Sequence, residues 1–279
     1  MPEGPEIKRA ADQIAKAIGD RPVTEIFFAF ERLKPYESKL KGRKVVSVTA
    51  KGKAMLLGFD NGFSIYSHNQ LYGKWVIRDA HSYPTTNRQL RLAIHNEKKS
   101  ALLYSASDIE VLTEPEIFMH PFLSKLGLDV LDEATTVEQA IAHIQDKRFY
   151  RRSFISLLLD QGFFCGLGNY LRSEVLFVAK IHPTRRPTDC SPEQIAALAE
   201  AVLSVSRQSY QTGGITNDLE FVAQLKTQGQ KRQEYRHYVF NRVDKPCYVC
   251  GTAIVKEFSG GRRYYYCPTC QPLSTGQKL

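Results

Sequence analysis

The chain begins Met1-Pro2-Glu3-Gly4-Pro5-Glu6, which puts a proline and a carboxylate where chemistry closed to interior positions becomes available. Once Met1 is removed, Pro2 carries a free secondary amine. An α-amino group titrates near ~7.7 to 8, well below a lysine, so a useful fraction is neutral and nucleophilic at physiological pH. Attack of a secondary amine on an aldehyde carbon gives an iminium with no N–H to shed. It stays cationic and draws electrons from the adjoining carbons, which promotes elimination. Glu3, the next residue, is placed to donate or accept a proton. The same six residues also suit an ordinary helix start, with prolines early and acids near the positive end of the helix dipole.

Further along, four cysteines form Cys247-x-x-Cys250 and Cys267-x-x-Cys270, separated by sixteen residues. This is the spacing of a tetrahedral zinc site. Four thiolates leave no open position for water, so one Zn2+ here is structural. Between the pairs, residues 254–258 and 262–266 suit a hairpin around Ser259-Gly260-Gly261, with Arg262 just past its tip. Cys165 and Cys190 stand apart. The paired pattern fits metal binding in a reducing compartment better than a disulfide framework.

Three shorter stretches carry other polar chemistry. In Lys51-Gly52-Lys53, Lys53 falls at a strand end, with an ammonium for a phosphate or a carboxylate, or simply at the surface. His68-Asn69-Gln70-Leu71-Tyr72-Gly73 reads as a loop tip. There Leu71 and Tyr72 either wedge into a base stack, with Gln70 bonding what remains, or pack into the core. Gly166-Leu167-Gly168-Asn169 precedes a helix, where backbone N–H groups favour an anion, although such turns commonly serve only to connect.

Positioning these groups falls to a helix and a set of short strands, followed by more helices. Residues 5–18 have Ile7, Ala11, Ile14 and Ile18 on one stripe and Gly19 as a stop, so Pro2 and Glu3 precede a packed helix. From Val23 to about Leu112 the pattern is of short strands, including 45–48, 90–94 and 101–105, as in a β-sandwich. The clearest hairpin pairs 54–59 with 63–67 around Asp60-Asn61-Gly62. Prolines at Pro115 and Pro121 place a domain junction near 125–135. Beyond it, Thr135-x-x-Glu138 and Ser191-Pro192-Glu193-Gln194 open helices, others cover 151–161 and 169–180, and 212–232 reads as a long irregular loop.

Composition sets the broad class. With 279 residues, 43% of them hydrophobic, the chain is long enough for two domains and is not disordered. A net charge of +9 predicts an electropositive face and a polyanionic partner. No apolar run approaches the roughly 18 residues of a membrane span, and the N-terminus lacks the pattern of a secretory signal. A soluble intracellular protein is the expectation.

Taken together, the Pro2-Glu3-Gly4-Pro5-Glu6 start, Lys53, the 166–169 turn and the four-cysteine hairpin with Arg262 resemble the formamidopyrimidine-DNA glycosylase and endonuclease VIII family of base-excision repair enzymes. The likeness spans the whole chain, and the Gln70-Leu71-Tyr72 tip resembles the bacterial endonuclease VIII branch, which removes mainly oxidised pyrimidines. The resemblance implies an α+β fold: a β-sandwich with an N-terminal helix over 1–125, a linker over 126–134, a helix-two-turns-helix domain over 135–235, and a zinc finger over 236–275. DNA is expected in the cleft between the domains. It implies that Pro2 attacks the sugar C1′, Glu3 protonates during base loss and ring opening, Lys53 assists β-elimination and Arg262 assists δ-elimination. Gln70, Leu71, Tyr72, Lys125 and Asn169 are the expected DNA contacts. The branch usually has arginine where this chain has Lys125, which keeps the charge and loses the bidentate fork. Damaged duplex DNA is the implied partner of a bacterial cytoplasmic monomer that needs no protein partner. An 8-oxoguanine-type glycosylase is the alternative inside the family, against which the tip argues. A non-catalytic zinc-ribbon DNA-binding protein is the alternative outside it.

Overall fold

Helix α1 (Gly4–Ile18) forms because Ile7, Ala11, Ile14 and Ile18 recur at helical spacing, and all four are buried. Glu3 is its N-cap, with an extended backbone whose N–H donates to the Glu6 carboxylate at 3.0 Å. At the other end the Gly19 N–H bonds the Ala15 carbonyl at 2.8 Å. A Cβ on Gly19 would lie 2.5 Å from that oxygen, so the helix stops on a residue with no side chain to accommodate.

The computed structural model describes residues 2–273, and the chain divides into two units, 1–125 and 126–279. In the first, eight strands make two four-stranded antiparallel sheets. One sheet has the order β1 (Glu25–Phe28), β6 (Leu90–His95), β7 (Lys99–Tyr104), β5 (Lys74–Asp79). The other runs β2 (Val45–Lys51), β3 (Ala54–Phe59), β4 (Phe63–His68), β8 (Asp108–Thr113). Inward residues of both sheets, among them Leu57, Ile65, Ile94 and Leu103, join the α1 stripe in one core. The expected sandwich is therefore present.

Turn chemistry fixes the hairpins. β2 and β3 are joined by Gly52-Lys53 alone, and Gly52 at φ +58° supplies the conformation that a type II′ turn needs at its first central position. β3 and β4 are joined through Asp60-Asn61-Gly62, with the positive φ on Gly62. The expected strand over 101–105 begins two residues earlier and ends one residue earlier, at Tyr104, because Ser105 takes φ +55° and leaves the extended region. After β8, where prolines suggested only a junction, a short helix α3 (Glu114–Met119) forms. Pro115 sits in its first turn, where a missing N–H is harmless, and the Thr113 N–H donates to Glu116 at 2.7 Å. A six-residue helix, α2 (Pro35–Leu40), lies between β1 and β2.

In the second unit, β9 (Leu128–Asp129) pairs in parallel with β10 (Phe164–Cys165). The stretch 126–134, expected as a linker, is thus built into this unit, with Val130 and Leu131 buried in its core. Around that core lie α4 (Val137–Ile144), α6 (Asn169–Val178) and the long α7 (Pro192–Thr212). Ser191 caps α7 as expected, with Gln194 answering it. The cap of α4 falls one residue later than expected, on Thr136 with Gln139, because Thr135 is buried and donates to the Asp129 carbonyl at 2.9 Å. The helix expected over 151–161 shrinks to α5 (Phe154–Leu157), since the Phe154 and Ile155 N–H groups bond Arg185 and Pro183 instead. Residues 212–232 are not an irregular loop: Gly213, at φ +74°, ends α7, and Asp218 caps α8 (Leu219–Thr227). The short α9 (Arg232–Tyr235) follows, then the hairpin β11 (Val255–Ser259) and β12 (Arg262–Tyr266). No helix among the described residues is long and apolar enough to cross a membrane.

Ile14 lies in the middle of the α1 stripe and is fully enclosed. Ile14→Ala should lower stability by about 2 to 5 kcal/mol through lost burial and the cavity left behind. Urea denaturation checks this, and a change under ~1 kcal/mol would show that α1 is not held by its stripe.

Candidate functional site

Strand pairing gathers the sequence-predicted groups of the first unit at one end of the sandwich. Gly19, just past α1, bridges Val45 at the start of β2, and Asn96 donates to the Ala17 carbonyl at 3.1 Å. The C-terminus of α1 is therefore at the end where β2 begins. Since α1 packs along β2, its N-terminus, with Pro2 and Glu3, lies at the end where β2 finishes in Lys51 and the turn carries Lys53. Glu3 and Lys53 are only 4% and 8% exposed, so Lys53 is not a surface lysine. Charges this enclosed are held by partners, and their placement at this end of the sandwich makes it the candidate site.

The same end holds the loop tip. His68 closes β4 opposite Asp108, and its register partner on β3 is Ala54, next to Lys53. Burial lowers the His68 imidazole below its ordinary value, Asp108 opposes this and Lys53 adds to it. The neutral ring accepts the Gln70 N–H on Nδ1 at 3.0 Å. Gln70 takes φ +48°, and its side-chain oxygen accepts from Ser107 Oγ at 2.8 Å. Gly73 closes the turn on the Asn69 carbonyl at 2.7 Å, where a Cβ would meet Asn69 backbone at 2.6 Å. Leu71 and Tyr72 do not pack into the core. They are 53% and 67% exposed. Ser107 joins this site without having been singled out in the sequence, where a lone serine carries no pattern. Lys125 is exposed, in a turn whose Phe122 and Leu123 pack on the outer face of the β2 sheet.

Within the second unit, α6 positions the remaining residues. Gln161 braces the glycine turn, accepting from the Gly166 N–H and donating to the Leu167 carbonyl, both at 3.0 Å. Gly166 takes φ +96°, and Asn169 follows as the first residue of α6. One turn on, the buried Arg172 donates to Asn169 Oδ1 at 3.3 Å, to the Arg263 carbonyl at 3.1 Å and to the Ile155 carbonyl at 2.6 Å. One guanidinium thereby joins Asn169 to the backbone beside Arg262. Arg262 itself is exposed, next to a Gly260-Gly261 turn with both φ values positive, as a type I′ hairpin needs.

The four Sγ atoms of Cys247, Cys250, Cys267 and Cys270 all lie within 4.8 Å of one another. Cys247 and Cys270 are 3.9 Å apart, and Cys250 and Cys267 3.4 Å. A disulfide is about 2.05 Å long, whereas a tetrahedron of thiolates ~2.3 Å from zinc spaces sulfurs by roughly 3.8 Å. The cluster fits one structural zinc. Gln271, fully buried, ties it to the helical body, accepting the Cys267 N–H at 3.0 Å and donating to the Ile181 carbonyl at 2.9 Å.

Comparison with known proteins follows the same divisions. The formamidopyrimidine-DNA glycosylase N-terminal domain matches residues 1–107, its H2TH domain residues 126–220, and the zinc finger found in FPG and IleRS residues 244–273. Endonuclease 8 of Klebsiella pneumoniae is 44% identical over 97% of this chain and 100% of its own. The chain belongs to the formamidopyrimidine-DNA glycosylase and endonuclease VIII family. Endonuclease 8 of Salmonella enteritidis shows the same identity and coverage. At the level of fold, Lactococcus lactis formamidopyrimidine-DNA glycosylase, solved with DNA containing an oxidised pyrimidine, superposes with a TM-score of 0.80 at 20% identity, covering 97% of this chain and all of that one. The family's zinc finger and the sulfur cluster coincide in this chain.

Carefully purified protein should contain one zinc per chain by elemental analysis. Cys267→Ala should abolish it and open the terminal hairpin to limited proteolysis, since small zinc modules depend on the metal for their fold. A metal-free preparation with a protease-resistant hairpin would contradict the assignment.

Proposed function

We propose that this chain is a bifunctional DNA glycosylase and abasic-site lyase that removes oxidised bases, mainly pyrimidines, from duplex DNA and cleaves the strand by β,δ-elimination. The observation that supports this most is the gathering of Pro2, Glu3, Lys53 and the exposed Gln70-Leu71-Tyr72 tip at one end of the sandwich. It occurs in a chain 44% identical, over 97% of its length, to proteins named endonuclease 8. Freed of Met1, the Pro2 nitrogen adds to the sugar C1′. Glu3 supplies a proton as the base departs and the ring opens, leaving an iminium at C1′. Loss of a C2′ proton then feeds electrons into the iminium as the C3′–O bond breaks, with Lys53 holding the phosphate. A second elimination breaks the C5′–O bond, with Arg262 in the corresponding role.

Leu71 and Tyr72 fill the space left by the extruded nucleotide, while Gln70 bonds the base that remains. Asn169 and Lys125 hold backbone phosphates, Asn169 on its helix start and Lys125 as a point charge. Zinc supplies no chemical step and holds the hairpin that carries Arg262. In this reading residues 1–125 form the catalytic domain, 135–235 the helix-two-turns-helix domain and 236–275 the zinc finger. The enzyme works as a monomer in the bacterial cytoplasm, without an obligate protein partner.

Base removal needs a delivered proton, whereas elimination at a preformed abasic sugar starts from the free aldehyde and relies on the amine and the cations. Glu3→Gln should therefore lower excision of dihydrouracil by on the order of 10² to 10⁴ and retain measurable cleavage of an abasic site. Single-turnover cleavage of the two duplexes checks this, and equal losses on both would remove Glu3 as the acid for base release.

A further inference from the structure

The strap that joins β5 to β6, residues 80–89, crosses the outer face of its sheet. One end is seated on His95: the His81 ring stacks on it with centroids 4.5 Å apart, and Tyr83 Oη lies 3.1 Å from its Nε2. Between strap and sheet there is a cleft of about 460 Å³, with Lys74, Val76, Arg78, Pro84, Thr86 and Tyr104 among its walls. The strap returns to the sheet at Gln89, whose carbonyl takes the Ser105 N–H at 2.8 Å. Just before that point Arg88 reaches across and donates from Nη1 to the Tyr72 carbonyl at 2.6 Å.

That contact bears on the tip in a specific way. The tip's backbone is already constrained at Gln70 by a positive φ and at Gly73 by the close approach to Asn69. Ser107 holds the Gln70 side chain. Tyr72 is the residue between these fixed points whose side chain is most exposed, and its peptide carbonyl is gripped by a cation from a different loop. A charge-assisted bond of this kind is short and directional. It fixes the peptide plane that follows the Tyr72 ring.

We propose that Arg88 is a positioning residue for base extrusion: through the Tyr72 carbonyl it holds the Leu71-Tyr72 tip in the geometry that enters the base stack. The inference rests on the reading of that tip as the wedge. It separates extrusion, which needs a rigid wedge, from elimination at an abasic sugar in single-stranded DNA, which needs none.

The test uses full-length protein and compares Arg88→Ala, Arg88→Lys and the double variant Leu71→Ala/Tyr72→Ala. Each is measured in single turnover on a dihydrouracil duplex and on single-stranded abasic DNA, together with duplex affinity over a range of salt. Misplacement of a positioned group costs up to about 100-fold, so Arg88→Ala should lose roughly 10- to 100-fold on the duplex and stay within about twofold on the single strand. The retained activity also shows that the variant is folded. Arg88→Lys, which still reaches the carbonyl with a cation, should recover most of the loss, and the salt slope should not change. If the double variant is impaired on the duplex and Arg88→Ala is not, the proposal fails while the wedge reading stands. If the double variant is itself unimpaired, the wedge reading fails and takes the proposal with it. Equal losses on both substrates for Arg88→Ala, with a salt slope shallower by about 0.9, would make Arg88 a phosphate contact and overturn the positioning role.

Discussion

Two oppositely charged side chains on α6, Arg172 and Glu174, hold the second unit in register. Both are buried, and a charge without partners in such a place would be strongly destabilising. Arg172 draws α5, Asn169 and the zinc hairpin together through three acceptors. Glu174 accepts from Thr216 Oγ1 at 2.6 Å and from the N–H groups of Tyr238, Val239 and Phe240 at 2.7 to 2.9 Å. Burial raises its carboxyl above the ordinary value, and these four donors counter that by favouring the carboxylate. Thr216 Oγ1 also lies 2.8 Å from His237 Nδ1. That imidazole is pushed down to about 3 by burial, with Arg236 and Arg232 adding to the effect, so it stays neutral at physiological pH. The helix that begins with Asn169 thereby anchors the backbone on both sides of it, and Arg262 inherits its place from Arg172 and the zinc.

The first unit reaches a comparable rigidity by other means. Strand register brings the β2–β3 turn, the end of β4 and the start of β8 to one edge, and the direction of α1 brings Pro2 and Glu3 to the same place. Short turns with glycine where φ is positive leave little freedom in between. A chain terminus would otherwise fray. Here it is followed immediately by an N-cap and a helix whose whole apolar stripe is buried. Order at the terminus is thus tied to α1 packing.

What could be read from the sequence was local. The α1 stripe, the Gly19 stop, the two glycine hairpins and the Ser191 cap depend on residues within a few positions of one another. Cysteine spacing gave the metal site for the same reason. The misplaced cap at Thr135, the shortened α5 and the helix within 212–232 have a different cause. Thr135 is taken by a carbonyl on β9, and α5 loses its N–H groups to residues some thirty positions away. α8 buries only Val222 and Leu225, so its period is faint. The same limit hid Ser107 and Arg172 from the reading of the site. Their partners lie up to 91 residues distant, and nothing in their immediate neighbours announces them. Lys53 was legible as a position and not as an environment, because its burial comes from the way the sandwich end closes around it.

Pro2 is the proposed nucleophile on which every later step depends. Protein incubated with abasic-site duplex under borohydride, digested and sequenced by tandem mass spectrometry, should yield a single reduced sugar adduct on the N-terminal peptide, at Pro2, with Met1 absent. An adduct on Lys53 or another lysine, or a Pro2 adduct formed no faster than background alkylation, would contradict it.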